Sequence, residues 1–284
     1  MLINLRQYHH PHDLQEALRL LRRLRPRTVP LAGGSTLIGS EDRNVEAVVD
    51  LQNLGLRYVK MDRDSQSVLI GAMATLADVS RSDAVRRVYD GIIAEAAHRS
   101  AGSVLRNQAT IGGAVAVANP ADELLVVLLA CDAHVTICAS EAIHLSLAEF
   151  LTRRDELLAE HALITEVALS LPQGQTGAAV QRVARTPAEA PIVCAAAVLS
   201  FSSGMCTTAR LALGGVSETP VRLPKVEVML AGQAVNSELI EAAAEKVTEL
   251  VDPTGDFRGS AAYRKAMAGV LSARALKGAS ARLV

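Results

Sequence analysis

Tryptophan is absent from this chain, which has only three phenylalanines and four tyrosines. Any flat ring bound here would therefore lie mainly on aliphatic side chains. Cysteine is also sparse: Cys131, Cys138, Cys194 and Cys206 stand singly, with no C-x-x-C spacing among them. That argues against a zinc or iron–sulfur site built by this chain alone and for buried, reduced thiols in a cytoplasmic protein. The longest aliphatic run, Leu124 to Cys131, is too short to span a bilayer. The opening Met1-Leu2-Ile3-Asn4-Leu5-Arg6 lacks the regions of a secretory signal. A net charge of −1 supplies no global basic field for nucleic acid or anionic lipid.

What is abundant is apolar: half of the 284 residues, largely Ala, Val and Leu. Disorder is excluded as a general description, and the length suits one large domain or two ordinary ones. Two segments combine that apolar character with adjacent glycines and a hydroxyl neighbour. One is Leu31-Ala32-Gly33-Gly34-Ser35-Thr36-Leu37, and the other runs from Arg106 through Thr110-Ile111-Gly112-Gly113-Ala114 to Asn119-Pro120-Ala121-Asp122. Such glycines let backbone approach a ligand closely and turn several N–H groups into one concavity, where a phosphate is the usual occupant. Neither segment reads G-x-G-x-x-G or ends in Gly-Lys-Ser/Thr, so Rossmann and nucleoside-triphosphatase readings fail. Two nests in one chain point to one extended ligand held from two sides.

Between these landmarks the periodicity predicts a helix over 13–25, with Asp13 as cap and Glu16 completing a capping box, stopped by Pro26. Strands follow at Thr28–Leu31 and Val45–Leu51, then a hairpin from Tyr58–Lys60 to Val68–Ile70. Thr75 caps a helix, and Ile92, Ile93, Ala96 and Ala97 mark the buried side of another ending near His98. Asp122 and Glu123 lead into an aliphatic helix through Ala130, and Ala133–Cys138 alternates as a strand. Leu147–Phe150 reads as a short helical turn and Ile164–Leu171 as a strand. Gln173–Gly177 is the linker candidate. Beyond it, strands at Val180–Val183, Ile192–Phe201 and Cys206–Leu213 precede helices near 237–251 and 260–277, an α+β pattern. His9, His10 and His12 lie in a turn without the carboxylate or spacing of a metal site.

The order of these motifs resembles the FAD-binding medium subunit of the molybdenum hydroxylases, the carbon monoxide dehydrogenase and xanthine dehydrogenase group. The resemblance runs nearly end to end through Leu31-Ala32-Gly33-Gly34-Ser35, Ile70-Gly71-Ala72, Arg106-Asn107, Thr110-Ile111-Gly112-Gly113, Asn119-Pro120-Ala121-Asp122 and Leu163-Ile164-Thr165-Glu166. Near the C-terminus, Leu213-Gly214-Gly215-Val216 with Thr219-Pro220, and Ala262-Tyr263-Arg264, continue it.

The resemblance implies a two-part FAD-binding domain of the vanillyl-alcohol-oxidase (PCMH) type over 1–172, with subdomains about 1–57 and 58–172. A small α+β C-terminal domain with an antiparallel sheet then spans 173–284. It further implies that Ala32, Gly33, Gly34, Ser35, Thr36 and Leu37, with Thr110, Ile111, Gly112, Gly113 and Ala114, bind the FAD pyrophosphate through backbone amides. Ala101 and Asp122 match positions near the adenosine and ribose, Ile164 an aliphatic residue near the isoalloxazine, and Arg182 a basic residue nearby. Ala114 and Thr36 depart from the family's usual Asn or Ser and Asp, and the 110–122 segment is one residue shorter than in many members. No residue of this chain is needed as a proton-transfer catalyst. The implied role is electron transfer in a cytoplasmic hetero-oligomer, from molybdopterin on a large subunit through 2Fe-2S clusters on a small one to FAD here and on to an external acceptor. A self-sufficient FAD-dependent reductase or oxidase of this fold, and a structural subunit with a decayed flavin site, stay open as alternatives.

Overall fold

The computed structural model describes residues 2–186 and 189–282. The first region comprises β1 (Gln7–His9), α1 (Leu14–Leu21), β2 (Thr28–Leu31) and β3 (Ala47–Asp50). Asp13 caps α1 by accepting from the Glu16 amide at 2.7 Å, and Ala17, Leu18, Leu20 and Leu21 are its buried face. The helix stops four residues before the predicted end, because Arg22, Arg23, Leu24 and Arg25 add nothing to that face and are all exposed. All three strands are parallel, in the order β1-β3-β2. Residues 32–46 carry the chain from the end of β2 back to the start of β3.

The second region contains β4 (Val59–Asp62), β5 (Ser67–Gly71), α2 (Leu76–Arg81), α3 (Asp83–Arg86), α4 (Ile92–Arg99), α5 (Ser103–Arg106), α6 (Ile111–Val117), α7 (Glu123–Ala130), β6 (His134–Cys138), β7 (Ala142–Ser146), α8 (Leu147–Ala159) and β8 (Leu163–Ser170). Its five strands pair antiparallel as β4-β5-β8-β6-β7. The predicted turn at 147–150 is the start of α8, a helix of 13 residues capped by Ser146. Leu147, Phe150, Leu151 and Leu157 face the core along it, so its apolar stripe continues beyond Phe150.

In the third region β9 (Gln175–Val183), β10 (Val193–Ser202), β11 (Met205–Gly214) and β12 (Val221–Arg222) form an antiparallel sheet in the order β12-β11-β10-β9. Helices α9 (Pro224–Leu230), α10 (Ser237–Leu250) and α11 (Ala261–Ala281) back it. The predicted linker is shorter than 173–177, because Gln175 already pairs with Phe201 in the sheet. The fold is thus α+β, with the expected antiparallel sheet in its C-terminal part.

Helix α7 joins the two larger regions. Every one of its residues, Glu123 through Ala130, is buried, so it has no polar stripe to present to water. It packs on α4 from one side and on β10 and β11 from the other. Leu128 is fully buried in it, whereas Leu24 is 97% exposed. Leu128→Ala is expected to lower stability by about 2–5 kcal/mol, from lost burial and the cavity left behind. Leu24→Ala should stay within about 0.5 kcal/mol of the parent. Urea midpoints of the two variants check this, and equal midpoints would remove α7 from the shared core.

Candidate functional site

The loop after β2 borders a cavity of about 420 Å³, within the size range of small-molecule and cofactor pockets. Gly33 lets this loop press against the 108–109 backbone: a Cβ there would sit 1.7 Å from the Gln108 carbonyl oxygen. Gly34 then takes φ +70°, the left-handed region that glycine enters without strain. The chain turns helically from this point, with the Ile38 N–H donating to the Gly34 carbonyl at 3.0 Å and Ser40 to Leu37 at 3.3 Å. First-turn amides of such a turn have no local acceptor. Among the described residues, the N–H groups of residues 33–37 have no protein partner. Ala32, Gly33, Gly34, Ser35, Thr36 and Leu37 all line the cavity.

The second glycine pair is built differently. Thr110 forms an isolated bridge with Thr75 and caps α6, its Oγ1 accepting from the Gly113 amide at 3.1 Å. The Ile111 amide donates to Ala74 at 3.0 Å, Gly112 to Ala72 at 2.9 Å and Ala114 to the Thr110 carbonyl at 3.0 Å. The amides of 111–114 therefore already have acceptors inside the protein, unlike those of 33–37. Ile111 is fully buried in the core and does not line the cavity. Thr110, Gly112, Gly113 and Ala114 do line it. Gly112 serves packing, since a Cβ would meet the Ala72 Cβ at 2.6 Å. One on Gly113 would meet only the Thr110 Oγ1, at 3.0 Å.

Asp122, which follows the Asn119-Pro120 turn, completes the polar part of the wall. Its Oδ1 caps α7, accepting from Leu124 at 2.9 Å and Leu125 at 3.4 Å. Oδ2 has no protein partner among the described residues. Burial pushes this carboxyl up to about 6; the two capping amides oppose that rise, and the neighbouring Glu123 charge adds to it. Asp122 is the one ionisable residue among the described lining. The rest is aliphatic or neutral, including the predicted Ala101 and Ile164.

Arg182 is not brought to this cavity. Its Nη1 lies 3.0 Å from Glu123 Oε2, and Nη2 donates to the Glu189 carbonyl. Glu123 is only 2% exposed and must be matched by nearby cations, a demand that Arg182 shares with Arg99. Ser100, Leu105, Val117, Leu158 and Leu163 also line the cavity and were not foreseen. In sequence, four of them are ordinary aliphatic residues. Following the apolar stripe of α8 to its end would have flagged Leu158.

The profile of the FAD binding domain in molybdopterin dehydrogenase matches residues 4–173, and that of the CO dehydrogenase flavoprotein C-terminal domain matches 178–279. The carbon monoxide dehydrogenase medium chain of Hydrogenophaga pseudoflava is 30% identical, covering 97% of each chain. The glyceraldehyde dehydrogenase medium chain of Sulfolobus acidocaldarius is 29% identical over 95% of this chain and 96% of its own. The solved structure of carbon monoxide dehydrogenase from Hydrogenophaga pseudoflava, in a form lacking the Mo-pyranopterin moiety, superimposes with a TM-score of 0.92 at 30% identity, over the whole of both chains.

The two helical glycines separate fold from ligand access. Gly112→Val should cost about 1–3 kcal/mol through overpacking against Ala72. Gly113→Val should keep a melting temperature near that of the parent while its side chain takes up cavity space and flavin content is lost. A melt and an absorbance spectrum of each variant decide it. Normal flavin content in Gly113→Val would show that residue to be a structural turn only.

Proposed function

Because the chain belongs to the FAD-binding medium subunits of the molybdenum hydroxylases, we propose that it is the subunit through which electrons leave such a complex. It is an oxidoreductase subunit and carries the FAD-binding domain. The observation that carries the site assignment is the pairing, on one cavity, of the unsatisfied 33–37 amides with the Asp122 carboxylate. Backbone amides suit a pyrophosphate. A carboxylate with a free oxygen suits vicinal ribose hydroxyls. The aliphatic wall around Ile164 suits a flat ring in a chain so poor in aromatics. Residues 33–37 would hold the phosphates, Asp122 and Ala101 the adenosine end, and Ile164 the ring end. Thr110 and Gly112 position the floor between them.

Bound there, the flavin supplies two-electron and one-electron redox chemistry, and the protein's part is to orient it and exclude water. The substrate would be oxidised at molybdopterin on a large partner, with 2Fe-2S clusters on a small partner as the relay and an external acceptor at the end. The family's medium chains support this hetero-oligomeric reading. Against a decayed site stands Ala114: its contribution to α6 is a backbone bond to Thr110, which a change of side chain leaves in place.

Two outcomes follow. In titrations of the full chain, FAD should bind about once per chain and FMN, which lacks the adenosine and one phosphate, much more weakly. Asp122→Ala should cost about 1–3 kcal/mol of FAD binding. The ionised carboxylate is the acceptor, so FAD affinity should be full above pH about 6 and decline below it. Asp122→Asn should flatten that profile; equal FAD and FMN affinities, or a profile unchanged in Asp122→Asn, would oppose the assignment. Second, substrate should bleach the flavin only when the large and small partners are both present. Rapid substrate-dependent bleaching of this chain alone would favour the self-sufficient flavoenzyme.

A further inference from the structure

Among the described residues the cavity is lined only by ones from Pro30 to Ile164, yet its polar wall is supported from the C-terminal sheet. Glu123 sits directly after Asp122, 2% exposed, with its carboxylate gripped from two sides. Arg99 at the end of α4 donates Nε to Oε1 at 3.0 Å and approaches more closely through Nη2. Arg182 on β9 reaches Oε2 at 3.0 Å. Arg99 is followed immediately by Ser100 and Ala101, which line the cavity. The same sheet holds the preceding turn: the Gly215 N–H donates to the Pro120 carbonyl at 2.7 Å. Gly214 packs so closely that a Cβ would lie 3.0 Å from that carbonyl oxygen.

Resting on the reading of the cavity as an FAD site, we infer that Arg99, Glu123 and Arg182 form a positioning triad. It aligns the Asp122 carboxylate and the Ser100–Ala101 wall, so that the C-terminal unit controls affinity at a cavity it does not line. None of the three touches the cavity, and all act through neighbours. A buried carboxylate between two guanidiniums is held in one geometry, because loss of either partner leaves an uncompensated charge in a dry site. The charged and titratable groups around Asp122 are Glu123 on α7, Arg99 and Glu95 on α4, Arg182 on β9 and the buried Cys194 thiol on β10. Burial raises the Asp122 carboxyl most, its two capping amides oppose that, and Glu123 is the charge that adds to the rise, so the arginines act on Asp122 through their hold on Glu123.

The signs are opposite for the two ends of the triad. E123Q removes the nearest negative charge and leaves two cations, so Asp122 should ionise more readily. R182Q leaves Glu123 half-compensated, so Asp122 should ionise less readily. FAD affinity of the full chain, measured across pH by flavin fluorescence, reads both. We expect each variant to bind FAD more weakly than the parent at pH 8. The pH at which binding is half lost should move down by about one unit in E123Q and up by about one unit in R182Q. The E123Q/R182Q double variant should return toward the parent midpoint, and circular dichroism reports the folded fraction of each. If E123Q does not fold, the upward shift in R182Q alone carries the test. Equal weakening with an unmoved midpoint would make the triad a structural clamp only and overturn the inference, as would variants that bind like the parent. A parent chain that binds no FAD at all would instead overturn the reading of the cavity, and the triad's role with it.

Discussion

A backbone amide without an acceptor must find one, from protein, water or ligand. Most of what is distinctive in this chain follows from leaving a run of them unsatisfied at residues 33–37. The parallel strand β2 delivers the loop, Gly33 flattens it against the Gln108 carbonyl, and Gly34 turns it by a left-handed step. The helical turn that follows satisfies its own carbonyls at 34 and 37 and leaves the amides of 33–37, which border the cavity, without a protein acceptor among the described residues. An anion is the ligand that suits this arrangement best, because every amide contributes a dipole of the same sign. The 32–46 connection is also free of regular helix or strand, so this geometry rests on Gly33 and Gly34 and on contact with the second region.

The remainder of the structure holds the opposite wall to that loop. Helix α7 is buried on all sides because the C-terminal sheet, α4 and α8 close around it, and its cap Asp122 carries the charge of the site. Asp122 caps the helix with one carboxylate oxygen and keeps the other free. Glu123 turns into the interior, between an arginine from the second region and one from the third. A second network ties the far end of α7, where Asp132 pairs with Arg210 at 3.0 Å and Arg222 at 2.8 Å. Both ends of the helix are thus fastened electrostatically to the C-terminal sheet, while its middle is fastened by apolar packing.

Much of this was legible from residue types alone. The β2 strand, the caps at Asp13 and Thr75, the aliphatic α7 and the long strands of the C-terminal sheet declare themselves by periodicity and capping chemistry. Gly33-Gly34 was readable as a close-approach loop. Gly112-Gly113 has the same signature but a different use, because spacing alone does not tell which amides already have partners. Gly113 and Ala114 are engaged locally by Thr110, whereas Ile111 and Gly112 are engaged by Ala74 and Ala72, a contact between distant segments that sequence does not show. Arg182 matches a family position near the ring, but the pull of a buried Glu123, 59 positions away, is invisible in sequence. Ile111, placed between two ligand-facing neighbours, points into the core because a helical turn sends successive side chains to different faces.

Amide hydrogen exchange of the full chain, with and without FAD, tests the central claim most directly, because it reads the backbone donors themselves. The N–H groups of 33–37 should exchange quickly in the free chain and gain protection on binding, whereas those of 111–114 should be protected throughout and change little. Protection gained at 111–114, with 33–37 unaffected, would contradict the account.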